Sequence, residues 1–133
     1  MKKMMYSLLA TGFLCLATFG LANSSQPTAG TELRPTQKAM QARAGWMKAM
    51  NANLTGMKYD EVGKDAAALA SQTDAAAGKI ANPLAKELTL KVSTLATAVA
   101  DAAGKKDGET VKVKLAEIKA TCGECHAKIR DKK

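Results

Sequence analysis

The sequence predicts an all-α protein, an antiparallel up-down-up-down four-helix bundle. Three observations predict it. Aromatic residues make up only 4% of the 133 residues, and there are only three prolines. A β-sandwich, by contrast, draws on β-branched and aromatic side chains. Hydrophobic residues at 47% and charged residues at 24% strike a globular balance, unlike a disordered or collagen-like chain. Beyond the first twenty or so residues, apolar positions recur in steps of three and four, the helical period, and no run alternates as a strand does.

The elements follow in chain order. Residues 1–22 read as a secretory signal peptide. Lys2 and Lys3 give a basic start, Met4 to Phe19 an apolar stretch, and Gly20 and Ala22 the small residues that place cleavage near Ala22. A membrane anchor needs about 20 apolar residues, more than this stretch supplies. Cys15 follows Leu14, where a lipoprotein signal carries a small residue. The expected location is therefore the bacterial periplasm, with no membrane attachment once the signal is removed. Residues 23–32 are small and polar and read as a flexible lead-in, and residues 33–133 form the domain.

The first helix opens near Pro35, since proline suits the first helical turn, and runs to Thr55 before Gly56. Met40, Met47 and Leu54 repeat along it with Ala44 between, and Met50 and Met57 widen the stripe. Asp60 is the expected N-cap of the second helix, whose stripe is Val62, Ala66, Leu69, Thr73, Ala76 and Ile80. Asn82-Pro83 breaks the chain and opens the third helix, with Leu84, Leu88, Leu95, Val99 and Ala102 inward. Gly104 to Gly108 is the next break, with Asp107 as cap. The fourth helix then aligns Val111, Leu115, Ile118, Cys122, Cys125 and Ile129. Short connections favour antiparallel neighbours.

The chemistry concentrates in Cys122-Gly123-Glu124-Cys125-His126. Past the signal these are the only cysteines, and His126 is the only histidine in the chain. Cys-x-x-Cys-His is the attachment motif of c-type haem. Two cysteines three apart on a helix share a face, where each thiol can add across a porphyrin vinyl group. The next residue then offers an imidazole to the iron. The rival readings fit less well. A thioredoxin-like pair expects a βαβ setting, and structural zinc expects four ligands where three are evident. A disulfide across one helical turn is strained. The expected cofactor is one covalent haem c. Past the signal the chain keeps Trp46 and Tyr59 but no phenylalanine, which leaves core volume that a cofactor would fill.

Four helices with Cys122, Cys125 and His126 close to the C-terminus, ending Cys-His-Ala-Lys-Ile-Arg, resemble the class II c-type cytochromes. These comprise the cytochrome c-prime group and its low-spin relatives. The resemblance covers the whole mature chain in layout. It implies that Arg130 lies near the haem, matching a basic residue that follows the family's motif. Ile129 stands where an aromatic is common, and the segment between the second and third helices is shorter than in many members.

In an up-down bundle the start of the first helix neighbours the end of the fourth, which brings Met40 opposite His126. Met47 lies seven residues on, about 10 Å along the axis. A methionine on an inward stripe is by itself most often core. Thr36-Gln37-Lys38-Ala39-Met40 is, however, similar to the start of the first helix in the low-spin members, where a methionine at this place binds iron. In the high-spin members a bulky apolar residue leaves the site open, and an arginine often sits one turn earlier, where this chain has Thr36. A second register matches Arg43 and Met47 to that arginine and the distal residue, and requires a large deletion before Tyr59. The resemblance thus implies His126 as the proximal iron ligand and Met40 as the distal one, with Met47 the second choice.

His/Met ligation implies an electron carrier, because both ligands stay bound as the iron changes oxidation state and the soft thioether favours the ferrous form. The rival is a five-coordinate protein that binds nitric oxide or carbon monoxide. No general base or nucleophile is evident, so no enzyme is expected. The net charge of +8 and the lysines of the last third suit an acidic redox donor or acceptor, or simply a solvated helix face. An exported chain without stacking aromatics is not expected to bind nucleic acid. Family members pair through their first two helices, and an exposed Trp46 or Met50 would support such a homodimer.

Overall fold

The computed structural model describes residues 33–130. The expected signal peptide, Cys15 and the lead-in lie outside the described residues. Four helices follow one another: α1 (Pro35–Thr55), α2 (Tyr59–Ala77), α3 (Pro83–Gly104) and α4 (Gly108–Cys125). One π-helical turn, His126–Arg130, continues α4. Among the described residues there is no strand.

Local chemistry sets the helix ends. Pro35 opens α1, and the Gln37 side chain accepts the Arg34 backbone N–H at 2.9 Å. The end of α1 is a Schellman turn. Met57 takes a left-handed conformation at φ 54°. Its N–H donates to the Leu54 carbonyl at 3.0 Å, and that of Lys58 donates to Asn53 at 2.8 Å. Both bonds satisfy carbonyls that the helix end would otherwise strand. The end of α3 repeats this geometry. Lys106 sits at φ 56°, its N–H donates to Ala103, and that of Asp107 donates to Ala102, both at 2.9 Å. Asn82 caps α3 by accepting the Ala85 N–H at 3.0 Å. Asp107 caps α4 by accepting the Thr110 N–H at 3.0 Å and the Thr110 hydroxyl at 2.6 Å. Asp60 does not cap α2. The helix starts one residue earlier with no side-chain cap, which leaves Asp60 and Glu61 in its first turn, where their charge suits the positive end of the helix dipole.

α2 packs most extensively on α3, α3 on α4 and α1 on α2, while α1 closes only thinly on α4. The core holds Met50, Leu69, Val99, Val111 and Ile118, each at most 1% exposed. Burying side chains of this size stabilises the fold by about 1.5–3 kcal/mol apiece. Small residues make up much of the core that α2 and α3 supply: Ala66, Ala77, Ala96 and Ala103 are all buried, and Gly63 of α2 comes close to Ala103 of α3. Missing aromatic bulk is therefore met partly by close approach of the helices. Three buried threonines turn their hydroxyls back onto their own helices, Thr73 to Leu69, Thr89 to Ala85 and Thr121 to Glu117, at 2.7–2.9 Å. No buried side-chain nitrogen or oxygen among the described residues lacks a hydrogen-bond partner.

Cross-helix neighbours identify the two ends. Arg43 Nε donates to Gln72 Oε1 at 2.8 Å, and Ser93 Oγ donates to the Ala70 carbonyl at 3.1 Å. A Cβ on Gly63 would lie 3.8 Å from that of Ala103, and one on Gly108 would lie 2.8 Å from Tyr59 Oη and 3.7 Å from Leu54 Cδ1. One end thus gathers Leu54, Tyr59, Gly63, Ala103 and Gly108.

The expected stripes need several corrections. Met57 is 74% exposed, because it forms the left-handed corner and does not continue the helix. Ala44 is exposed, and Leu84 is 36% exposed at the first turn of α3. Ala77 is buried in place of the expected Ala76. An α-helix drifts from an exact seven-residue repeat, and α1 meets the core mainly with its second half. Met50 there is fully buried, while Trp46, Met47 and Leu54 pack partly against it. Met50 therefore offers no exposed dimer contact, and Trp46 is already engaged in the bundle.

Two outcomes follow from the corners and caps. Met57→Gly raises the free energy of unfolding by roughly 0.5 kcal/mol in urea titration, since a left-handed penalty of about 1 kcal/mol outweighs the extra chain entropy of glycine. Hydrogen bonds from Thr110 hold the Asp107 carboxyl below its ordinary 3.8. A depressed carboxyl stabilises the fold fully above its unfolded value and loses that effect as pH falls through the folded one. Asp107→Ala therefore lowers the thermal midpoint at pH 7, and its gap from the unaltered chain narrows in melts run progressively below pH 3.8.

Candidate functional site

A small cleft, with a cavity volume of about 20 Å³, lies where α1, α3 and α4 meet. The first half of α1 contributes Met40 and Arg43, and α3 contributes Leu88, Thr89 and Val92. Thr121, Cys122, Cys125 and His126 complete it from the end of α4. Leu88, Thr89, Val92 and Thr121 are buried and form its floor. Met40 is 37% exposed and stands at the rim.

Helical spacing presents the thiols. Ile118 and Thr121 are buried, so the same face of α4 carries Cys122 against the core and Cys125 one turn on. Both thiols are free. His126 is the first residue of the π turn, and its backbone N–H still bonds to the Cys122 and Gly123 carbonyls. Such wider turns are frequent at functional sites. Here the turn begins at the one residue of the motif that would ligate iron. Glu124 and Lys128 bridge this turn on the outside at 2.6 Å. The lysine holds the Glu124 carboxyl below its ordinary value, with help from Lys91, but so exposed a pair adds little stability.

Arg43 is the charged member of the cleft. Burial pushes its guanidinium down, and the neighbouring Cys122 and Cys125 push it back up. Burial likewise pushes the Cys122 thiol up, and the Arg43 charge opposes that rise. A half-buried cation thus faces the two thiols and is held by Gln72 at 2.8 Å.

Met40, Cys122, Cys125 and His126, separated by up to 86 positions in the chain, line one cleft. Met47 does not line it and packs partly against the core. The cleft therefore takes its methionine from one expected register and its arginine from the other. Arg130 is exposed and is not among the lining residues. Thr89, Val92 and Thr121 were absent from the expected stripes. Thr89 and Thr121 adjoin the stripe residues Leu88 and Cys122, and Val92 fills the skipped step between Leu88 and Leu95.

The residues present suit the expected haem by the chemistry of their donors. Two thiols share a helix face beside an imidazole, a thioether stands across the cleft, and Leu88 and Val92 supply apolar wall. A bare metal ion fits less well, since no group of three or more His, Cys, Asp or Glu among the described residues is arranged to hold one. At about 20 Å³ the cleft is far smaller than the usual ligand pocket of about 300–1,000 Å³, so seating a porphyrin would require the start of α1 to move well outward. That movement falls on the thin contact between α1 and α4. No family model, curated protein or solved structure matches the chain.

Proposed function

We propose that this chain is an exported monohaem cytochrome of the class II c type, an antiparallel up-down-up-down bundle that carries electrons between protein partners. One observation carries the reading: Met40 of α1 lines the same cleft as Cys122, Cys125 and His126 of the attachment motif. The antiparallel order is supported by the pairing of Arg43 with Gln72, Ala70 with Ser93 and Gly63 with Ala103.

When bound, haem c supplies a one-electron ferric/ferrous couple. The chain's own residues do the rest. The Cys122 and Cys125 thiols, one turn apart on α4, would hold the porphyrin covalently by adding across its vinyl groups. The His126 imidazole, at the start of the π turn, and the Met40 thioether would be the iron ligands. Leu88 and Val92 keep water from the ring. The soft methionine sulfur favours the reduced form and raises the potential. Arg43 would keep a half-buried positive charge beside the two attachment cysteines.

A second reading has its own observation. Met40 is 37% exposed on the helix that closes only thinly on α4, so withdrawal of this one side chain opens the distal side. The protein would then be five-coordinate and bind nitric oxide or carbon monoxide.

Optical spectra of the haem-loaded protein separate the two. Electron-carrier function predicts sharp low-spin bands, a thioether-to-iron charge-transfer band in the ferric form, and no response to carbon monoxide. Met40→Ala abolishes the charge-transfer band and admits carbon monoxide, whereas Met47→Ala does neither. A high-spin spectrum with ready carbon monoxide binding in the unaltered protein supports the gas-binding reading. Cys122→Ser with Cys125→Ser leaves no haem on the chain after acid extraction. Retention there would overturn covalent attachment.

A further inference from the structure

We infer that the cleft end of the bundle is a docking face for an acidic surface patch on a partner protein, so that the partner meets the molecule end-on. The observation is a separation of charge along the bundle. The segments that build the cleft end, residues 33–44, 68–93 and 118–130, carry nine Lys and Arg against three Asp and Glu. The segments that build the opposite end, residues 45–67 and 94–117, carry seven of each. The whole net charge of the described residues therefore sits at the end that holds Met40, Cys122, Cys125 and His126. Eight of the nine basic side chains there are exposed, Arg43 being the half-buried exception.

The arrangement is not a by-product of a generally basic surface. The far end carries nearly as many basic residues but matches their number with carboxylates, some of them paired as in Lys64–Glu61 and Lys114–Glu117 at 3.0 Å. At the cleft end, Lys86 and Lys91 are exposed and flank Leu88 and Thr89 of the cleft floor in sequence. A field of this form orients an approaching negative surface before contact and raises its rate of encounter.

Two kinds of negative surface would respond to such a field, and the structure favours a protein. An anionic membrane holds basic proteins best when apolar side chains enter the bilayer beside the charges. The most exposed apolar residues, Met57 at 74% and Val113 at 52%, lie on the far, charge-balanced half. At the cleft end the large apolar side chains Leu90, Met40 and Leu84 are only 36–38% exposed. The docking face rests on the electron-carrier reading only for its purpose, since it delivers the partner to the cleft. The charge separation itself is independent of any cofactor.

The test uses the full haem-loaded chain with poly-L-glutamate as the acidic probe and vesicles of one part phosphatidylglycerol to two parts phosphatidylcholine as the rival. Lys86→Glu with Lys91→Glu alters the cleft end, and Lys48→Glu with Lys112→Glu makes the same change of charge on the far half. The expected result is a fall in polyglutamate affinity of about tenfold for the first pair and less than twofold for the second, with a smaller salt dependence in the first. Amide shifts on titration should cluster at the cleft end. An equal loss in both pairs, shifts spread over both ends, or tighter binding to the vesicles than to polyglutamate would overturn the proposal. Haem content is read separately by absorbance. Absence of covalent haem with the affinity pattern intact would remove the electron-carrier reading and leave the docking face standing.

Discussion

The seam between α2 and α3 is the constraint on which the rest of the structure depends. The described residues hold a single tryptophan, a single tyrosine and no phenylalanine, so the helices cannot be separated by large rings. The fold brings two of them close through Ala66, Ala77, Ala96 and Ala103, where dispersion contacts between small side chains add up. α3 then offers its remaining face to α4, through Val99, Val111 and Ile118. α1 is left with Met50 as its one fully buried side chain. The cleft opens where this least committed helix begins, beside the tightly held α3 and the end of α4. A site in that place combines a rigid floor with one yielding wall.

Most of the fold was legible in the sequence, and the reasons are local. Pro35, Asn82-Pro83 and Asp107 act within a turn of where they stand, and the helices begin at or beside them. The stripes of α2 and α4 were readable because both faces pack fully. α1 was harder, since a half-engaged helix leaves apolar residues such as Met40 in partial exposure and the seven-residue repeat of its methionines misstates its turn. Met57 was unreadable as a corner because the left-handed position usually belongs to glycine, and Gly56 stands one residue before it.

The site was legible as a motif but only partly as a place. Cys122, Cys125 and His126 announce themselves by spacing, and the run of the helices points to Met40. Arg43 lies three positions further along α1, nearly one turn, and so shares the Met40 face. No stripe of apolar residues would signal a half-buried cation, and only its partner Gln72, 29 positions away, explains how it is held. The buried threonines escaped for a related reason. A hydroxyl bonded back to its own helix packs as an apolar group yet counts as polar in any pattern of hydrophobicity.

The thin attachment of α1 also bears on the order in which the chain assembles. The helices are joined by short turns and pack on their sequence neighbours, a topology of local contacts that folds in microseconds to milliseconds. α2, α3 and α4 hold the larger share of the buried surface, so α1 is the unit that detaches at the lowest free energy. Its opening exposes both thiols and the imidazole while the other three helices stay docked. A flat ligand can then reach the cleft without global unfolding, and amide exchange in the first half of α1 reports the frequency of that opening.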